Sequence, residues 1–200
     1  AQQGPLLTVV PLDRVTCSAC LLEVRDPLDR RYGYWLNSCS RCGPRYSILD
    51  AMPYERTQTT MSDYSLCSEC QTEYQSPNDR RFHAQTTCCS KCGPTLVDVG
   101  LAIAALRNDR VVGIKGVGGY QLLARADSPL ALEQLRTIKQ RHAKPLAVMV
   151  RDLNLASTFG QVDEIAAEAL SSWSGPIVIV PQITADSAVK DWINPGLNSI

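Results

Sequence analysis

Four Cys-x2-Cys pairs carry the most legible chemistry in this chain of 200 residues: Cys17/Cys20, Cys39/Cys42, Cys67/Cys70 and Cys89/Cys92. Eighteen residues separate the first pair from the second and, again, the third from the fourth. Read as hairpin knuckles, two such pairs each bring two thiolates to one side, and the intervening excursion lets them face each other around a tetrahedral zinc ion. Gly43 and Gly93, each just after a ligand, are expected at positive φ, turning backbone N–H groups toward sulfur. Four thiolates leave no open coordination position, so both zinc ions are expected to hold structure and not to hydrolyse. Disulfide pairing and redox Cys-x2-Cys chemistry are the weaker readings, because four pairs exceed what one active site needs. Cys88, beside Cys89, is read as a spare thiol, and His83 as a packed or solvent-facing histidine; replacement of a zinc ligand by either stays open.

The ligands belong to a tandem repeat of 50 residues, in which Ser18, Glu23, Pro27, Asp29-Arg30-Arg31, Ser40 and Gly43-Pro44 recur as Ser68, Glu73, Pro77, Asp79-Arg80-Arg81, Ser90 and Gly93-Pro94. The Asp-Arg-Arg triplets lie in the excursions between knuckles. Their arginines suit phosphate binding or pairing with a thiolate-rich metal centre. Solvation and local salt bridging compete with both.

A second kind of chemistry lies beyond residue 98, where cysteine disappears. Lys115-Gly116-Val117-Gly118-Gly119 follows a strand signal at 111–114, and glycines there let backbone N–H groups approach an anion beside the Lys115 charge. A plain turn is the competing reading, and the segment lacks the Gly-Lys-Ser/Thr ending of a Walker A loop. Lys139, Arg141 and Lys144 stack three cations where a helix closes, with no acid to answer them. Helix-dipole pairing explains such cations singly; together with the glycine turn they form a candidate triphosphate site.

The elements that position these groups follow from periodicity and caps. Helices are expected over 101–106, from the Ser128-Pro129 start to about 141, from the Asp163 cap to 170, and over 187–192. Strands are expected over 111–114, 120–126, 146–150 and 176–180. This is a mixed α/β layer pattern.

Taken together, these motifs resemble those of the HypF family of hydrogenase maturation carbamoyltransferases. The resemblance rests on the tandem cysteine modules, Cys42 to Arg45, Met52 to Arg56, Thr60-Met61 and Asp79 to Gln85; Ile114 to Tyr120 and Ile138 to Met149 are similar to the family's YrdC-like nucleotide-binding domain. It implies an enzyme that uses carbamoyl phosphate and Mg-ATP to form a carbamoyl adenylate, and that passes the carbamoyl group to a cysteine of a HypE-type partner for the cyanide ligands of nickel–iron hydrogenase. In that scheme Lys115, Gly118, Gly119, Lys139, Arg141 and Lys144 bind ATP or the adenylate, the zinc modules are scaffold, and no catalytic base or nucleophile is identifiable. The resemblance further implies that the chain is a fragment, incomplete within its YrdC-like domain and not fully active alone. The alternative is a zinc-ribbon and YrdC-like module that binds RNA or docks a partner without catalysis.

Composition narrows these choices. The chain balances 20 basic against 20 acidic side chains, and residues 1–98 hold 10 basic and 11 acidic ones, so no basic footprint favours nucleic acid. No apolar run approaches the roughly 18 residues of a membrane span, and neither a signal sequence nor a disulfide scaffold is evident, so a cytoplasmic protein is expected. The expected fold class is α+β, with tandem small zinc-binding modules followed by part of a mixed α/β YrdC-like domain. Its expected boundaries are an N-terminal tail at 1–14, module one at 15–48, a linker at 49–64, module two at 65–97 and the YrdC-like domain at 98–200.

Overall fold

Each zinc module is built on one short helix and one turn, too little to bury a core by itself. Helix α1 spans Ser18–Arg25 and helix α2 spans Ser68–Gln75, so the first Cys-x2-Cys of each module is not a hairpin knuckle as expected. Cys17 and Cys67 occupy the N-cap positions and Cys20 and Cys70 follow in the first turn. A helical turn brings residues three apart onto one face, which serves two thiolates as well as a hairpin does. Each helix stops just before Pro27 or Pro77, residues that cannot continue it.

A computed structural model describes residues 9, 11–95, 98–183 and 191–200. The chain divides into two compact units, Ala1–Leu96 and Val97–Ile200. In the first unit, the apolar cluster of Tyr34, Ile48, Met61 and Cys88 takes two members from the first module, one from the segment between the modules and one from the second module. Module one ends in a short 3-10 turn at Tyr46–Ile48, and the segment after it, expected as a linker, forms two more at Arg56–Gln58 and Thr60–Asp63, with Leu49 bridging Thr59. Arg56 anchors it, donating to the carbonyls of Gln85 (2.5 Å), Thr87 (2.9 Å) and Tyr64 (2.7 Å).

The second unit opens with helix α3 (Val99–Arg107), capped by the Asp98 carboxylate, which accepts from Leu101 N–H at 3.1 Å. Strands β1 (Val112–Gly116) and β2 (Gly119–Leu123) pair antiparallel, with Lys115 opposite Tyr120 and Gly116 opposite Gly119. Ser128 caps helix α4 (Pro129–Lys139), as its Ser-Pro start predicts, and Gln140 ends it in the left-handed conformation at φ +50°. Helix α5 (Leu153–Phe159), which the sequence reading did not include, is capped by Asp152; helix α6 (Glu164–Ser171) is capped by Asp163 as expected.

Two strand expectations are corrected. Residues 146–150 alternate between partly buried and exposed, as a strand would, but among the described residues they join no ladder; only Leu146 N–H is tied down, to the Ile193 carbonyl at 3.0 Å. Pairing near 176–180 begins only at its end, where Val180 and Ile200 exchange two backbone hydrogen bonds of 2.9 Å and Pro181 bridges Ser199. Alternation marks a half-buried extended segment, whereas a strand also needs a neighbour. Most of the helix expected over 187–192 lies outside the described residues. No helix among the described residues is long and apolar enough to cross a membrane.

Candidate metal centres and basic loop

The ligand atoms of Cys17, Cys20, Cys39 and Cys42 lie within 4.8 Å of one another, and so do those of Cys67, Cys70, Cys89 and Cys92. A tetrahedral zinc ion with bonds of about 2.3 Å to sulfur has sulfur–sulfur edges of about 3.8 Å. The measured edges are 3.9 Å for Cys17–Cys39, 3.8 Å for Cys39–Cys42 and 3.6 Å for Cys20–Cys42. In the second cluster Cys67–Cys89 and Cys89–Cys92 are both 3.8 Å. Both sites suit structural zinc, with no room in either tetrahedron for a fifth group.

Neither doubtful residue joins a cluster. Cys88 is buried in the apolar core, with its Sγ 3.4 Å from the Tyr34 hydroxyl, and burial pushes its thiol up. His83 packs edge-on against Phe82 (4.4 Å between centroids) and tilted against Tyr74 (5.1 Å). Its backbone takes φ +49° where Gly33 takes +70°, so the repeat conserves a left-handed turn with and without glycine.

The two glycines that follow the ligands differ. Gly43 adopts φ +89°, as expected. Gly93 is not among the positive-φ glycines; it is required for space, because a Cβ there would fall 2.2 Å from the Tyr34 hydroxyl and 2.8 Å from Cys88 Cβ.

The arginine side chains of the Asp-Arg-Arg triplets reach the other module and not their own. The Asp29 carboxylate accepts from Arg31 N–H, and the Asp79 carboxylate from Arg81 N–H, both at 2.7 Å, which fixes the turns that launch the arginines. Arg31 then crosses to the second module, donating to Glu73 at 2.5 and 3.1 Å and to the Cys88 carbonyl at 3.0 Å. Arg81 makes the reciprocal crossing to both oxygens of Glu23 and to the Ser38 carbonyl at 3.2 Å. Arg30 donates to Cys70 Sγ at 3.3 Å, and Arg80 to Cys20 Sγ at 2.7 Å. Each arginine pair therefore touches the partner module's carboxylate and one of its zinc thiolates.

Burial alone would raise the Glu73 carboxyl, but hydrogen bonds from Arg31 and Arg30 outweigh it and bring the group down to about 2. Glu23 is likewise lowered: burial opposes ionisation, while Arg81, Asn37 and Arg80 favour it. Sequence reasoning matched Glu23 with Glu73 and gave neither a role. Their co-recurrence with the arginines was the available signal.

In the second unit Lys115 lies on β1, exposed, with its Nζ 5.4 Å from the Tyr120 ring centroid. Val117 and Gly118 form the β1–β2 turn, and Gly119, the first residue of β2, takes φ +150°. Lys139 ends α4, while Arg141 and Lys144 sit on the loop beyond it, and both lysines are exposed. Among the described residues no hydrogen bond or ion pair links the glycine turn to this basic loop.

What shapes the loop is Arg136, which the sequence reading did not single out. It is 6% exposed and, among the described residues, forms no ion pair with a carboxylate. Its guanidinium donates to the carbonyls of Arg141 (2.8 Å), Lys144 (3.2 Å), Trp192 (2.6 Å) and Ile193 (3.2 Å). A fixed fork of N–H donors thus holds the loop against the 192–193 segment.

Comparison with known proteins accounts for both units. Residues 16–49 and 66–97 match the HypF finger family, and residues 104–200 match the Sua5/YciO/YrdC family described as telomere recombination. The carbamoyltransferase HypF of Synechocystis is 46% identical over 194 residues, covering 90% of this chain and 25% of that protein. The carbamoyltransferase HypF of Rhodobacter capsulatus is 39% identical, covering 95% of the chain and 26% of the relative. Among solved structures, full-length HypF in a phosphate- and nucleotide-bound form superposes with a TM-score of 0.87 at 35% identity, covering 96% of this chain and 26% of that one. HypF of T. kodakarensis gives 0.89 at 32% identity, covering 96% and 27%. The chain spans about a quarter of the length of these relatives. Through its paired fingers and the YrdC-like region that follows them, the chain belongs to the HypF carbamoyltransferase family.

Proposed function

We propose that this chain supplies the zinc scaffold and part of the nucleotide site of a carbamoyltransferase in hydrogenase maturation. The substrates would be carbamoyl phosphate and Mg-ATP, the intermediate a carbamoyl adenylate, and the acceptor a cysteine of a HypE-type partner. The observation that carries the reading is the loop of Lys139, Arg141 and Lys144, held by buried Arg136 in a region that matches the Sua5/YciO/YrdC family.

In the reaction, water would cleave carbamoyl phosphate to carbamate and inorganic phosphate; a carbamate oxygen then attacks the α-phosphorus of ATP and pyrophosphate departs. Negative charge gathers on the phosphates, and Lys139, Arg141 and Lys144, with Lys115 beside the glycine turn, would neutralise it. Gly118 and Gly119 would let backbone N–H groups come close to a phosphate. The contribution is charge neutralisation and positioning, with no base or nucleophile required of these residues.

The test is carbamoyl-phosphate-dependent exchange of labelled pyrophosphate into ATP, measured in a full-length protein containing this sequence. Lys139→Ala and Arg141→Ala should each reduce exchange at least a hundredfold. Unchanged exchange in both would remove the nucleotide role from this loop.

A further inference from the structure

The two metal centres exchange their charge partners. A zinc ion held by four thiolates leaves a site with a net charge of about −2, which nearby N–H donors stabilise. At the first site the side-chain donor is Arg80 of the second module, 2.7 Å from Cys20 Sγ, beside the Arg41 backbone N–H on Cys39; at the second site Arg30 of the first module lies 3.3 Å from Cys70 Sγ, with its neighbour Arg31 more distant at 3.6 Å. Arg30 and Arg80 are placed by turns that follow directly on α1 or α2, the helices whose first turns carry the ligands. Metal binding that orders one module therefore orders the arginine that stabilises the other module's thiolates.

We propose that the two sites load zinc cooperatively, each filled site raising the affinity of the other through the crossed Arg30–Cys70 and Arg80–Cys20 contacts. The linkage is reciprocal by necessity, and couplings of this kind are on the order of 5- to 150-fold. It rests on the reading of both clusters as zinc sites, and uptake of no metal at either cluster would overturn that reading first.

The experiment is native mass spectrometry of the reduced 200-residue chain titrated with Zn²⁺ against a competing chelator. Independent sites leave at least half of the molecules with one metal at the midpoint, whether or not the sites are equal; tenfold coupling between sites of equal affinity lowers that share to about a quarter. A wild-type one-metal share clearly under half is expected, and a share of half or more overturns the proposal.

Arg30→Gln with Arg80→Gln should restore the share to half or more while the buried Arg31–Glu73 and Arg81–Glu23 pairs stay in place. These outer arginines keep side-chain exposures of 26% and 32%, so their substitution is tolerable. A share that stays as low as in wild type would take the coupling away from these arginines. Independently of that variant, Cys67→Ser should weaken Co²⁺ binding at the intact first site several-fold, read from its thiolate-to-cobalt absorption. Undiminished affinity there would equally overturn the proposal.

Discussion

Arg81 and Glu23 are 58 residues apart in sequence and form a two-pronged ion pair across the boundary between the zinc modules. The Arg81 side chain is only 4% exposed, so the pair sits where an unmatched charge is costly. Asn37 completes the arrangement, accepting from Arg81 at 3.0 Å and donating to Glu23 at 2.8 Å.

Glu23→Gln strands that guanidinium. The expected loss is about 3 kcal/mol of stability in the first unit, within the range for breaking one side of a buried pair. Denaturant unfolding of the zinc-loaded protein measures it. Glu23→Leu combined with Arg81→Met should recover part of the loss, and a double variant worse than the sum of the singles would contradict the pairing.

Removing zinc should unfold residues 15–95 and leave the second unit folded, since the first unit's apolar cluster has four buried members among the described residues. Backbone amide spectra with and without chelator separate the two units by residue. Cys17→Ser should reproduce the loss in the first module, and native dispersion retained there after complete metal removal would refute the scaffold role.

Glu73 should stay ionised well below the usual carboxylate range. Its pKa falls from 4.5 unfolded to about 2 folded, so its stabilising contribution is fully present above pH about 4.5 and is lost as pH falls toward 2. The carboxyl carbon shift of labelled Glu73 should remain flat from pH 7 down to 4.5 in the zinc-loaded protein. A titration midpoint at or above 4.5 would show that the arginines do not hold it.

Arg136→Met removes the donors shared by five carbonyls, three on the loop (Arg141, His142, Lys144) and two at Trp192 and Ile193, and should cost the second unit about 3 kcal/mol, since unpaired buried polar groups cost about 1–3 kcal/mol each and water will reach some of these. Hydrogen exchange should quicken first at residues 141–144. Exchange there unchanged from wild type would show that the loop holds its shape without the guanidinium.

Gly93→Ala should destabilise the first unit by about 1–3 kcal/mol, a typical cost of overpacking. Because the nearest atom to the added methyl is the Tyr34 hydroxyl, Tyr34→Phe should restore part of the loss in the double variant. No rescue would place the conflict at Cys88 instead.

The metal ligands were legible because a Cys-x2-Cys spacing is itself the chemistry: two thiolates three residues apart meet one ion on a helical turn or a hairpin alike. For the same reason the spacing could not tell the helix at Cys17 from a hairpin. Caps were equally local, and Ser128 and Asp163 stand where their side chains predict. What the sequence withheld was partnership. Arg31 and Glu73 both belong to the visible repeat, yet nothing in either copy says that they meet across copies and not within one. Residues 146–150 carry the alternation of a strand without naming a neighbour. Arg136 reads as one more helical arginine, because five residues of chain must fold back before Arg141 O reaches it.

The crossed arginines have the geometry of a two-fold dimer interface. Residue i of one copy meets residue j of the other, and j meets i in return. Here the two protomers happen to be joined by one chain. A protein carrying a single copy of this finger, with its glutamate and arginine pair intact, is therefore expected to seek a second molecule of itself, and tandem duplication turns that concentration-dependent association into one set by the length of the connecting segment.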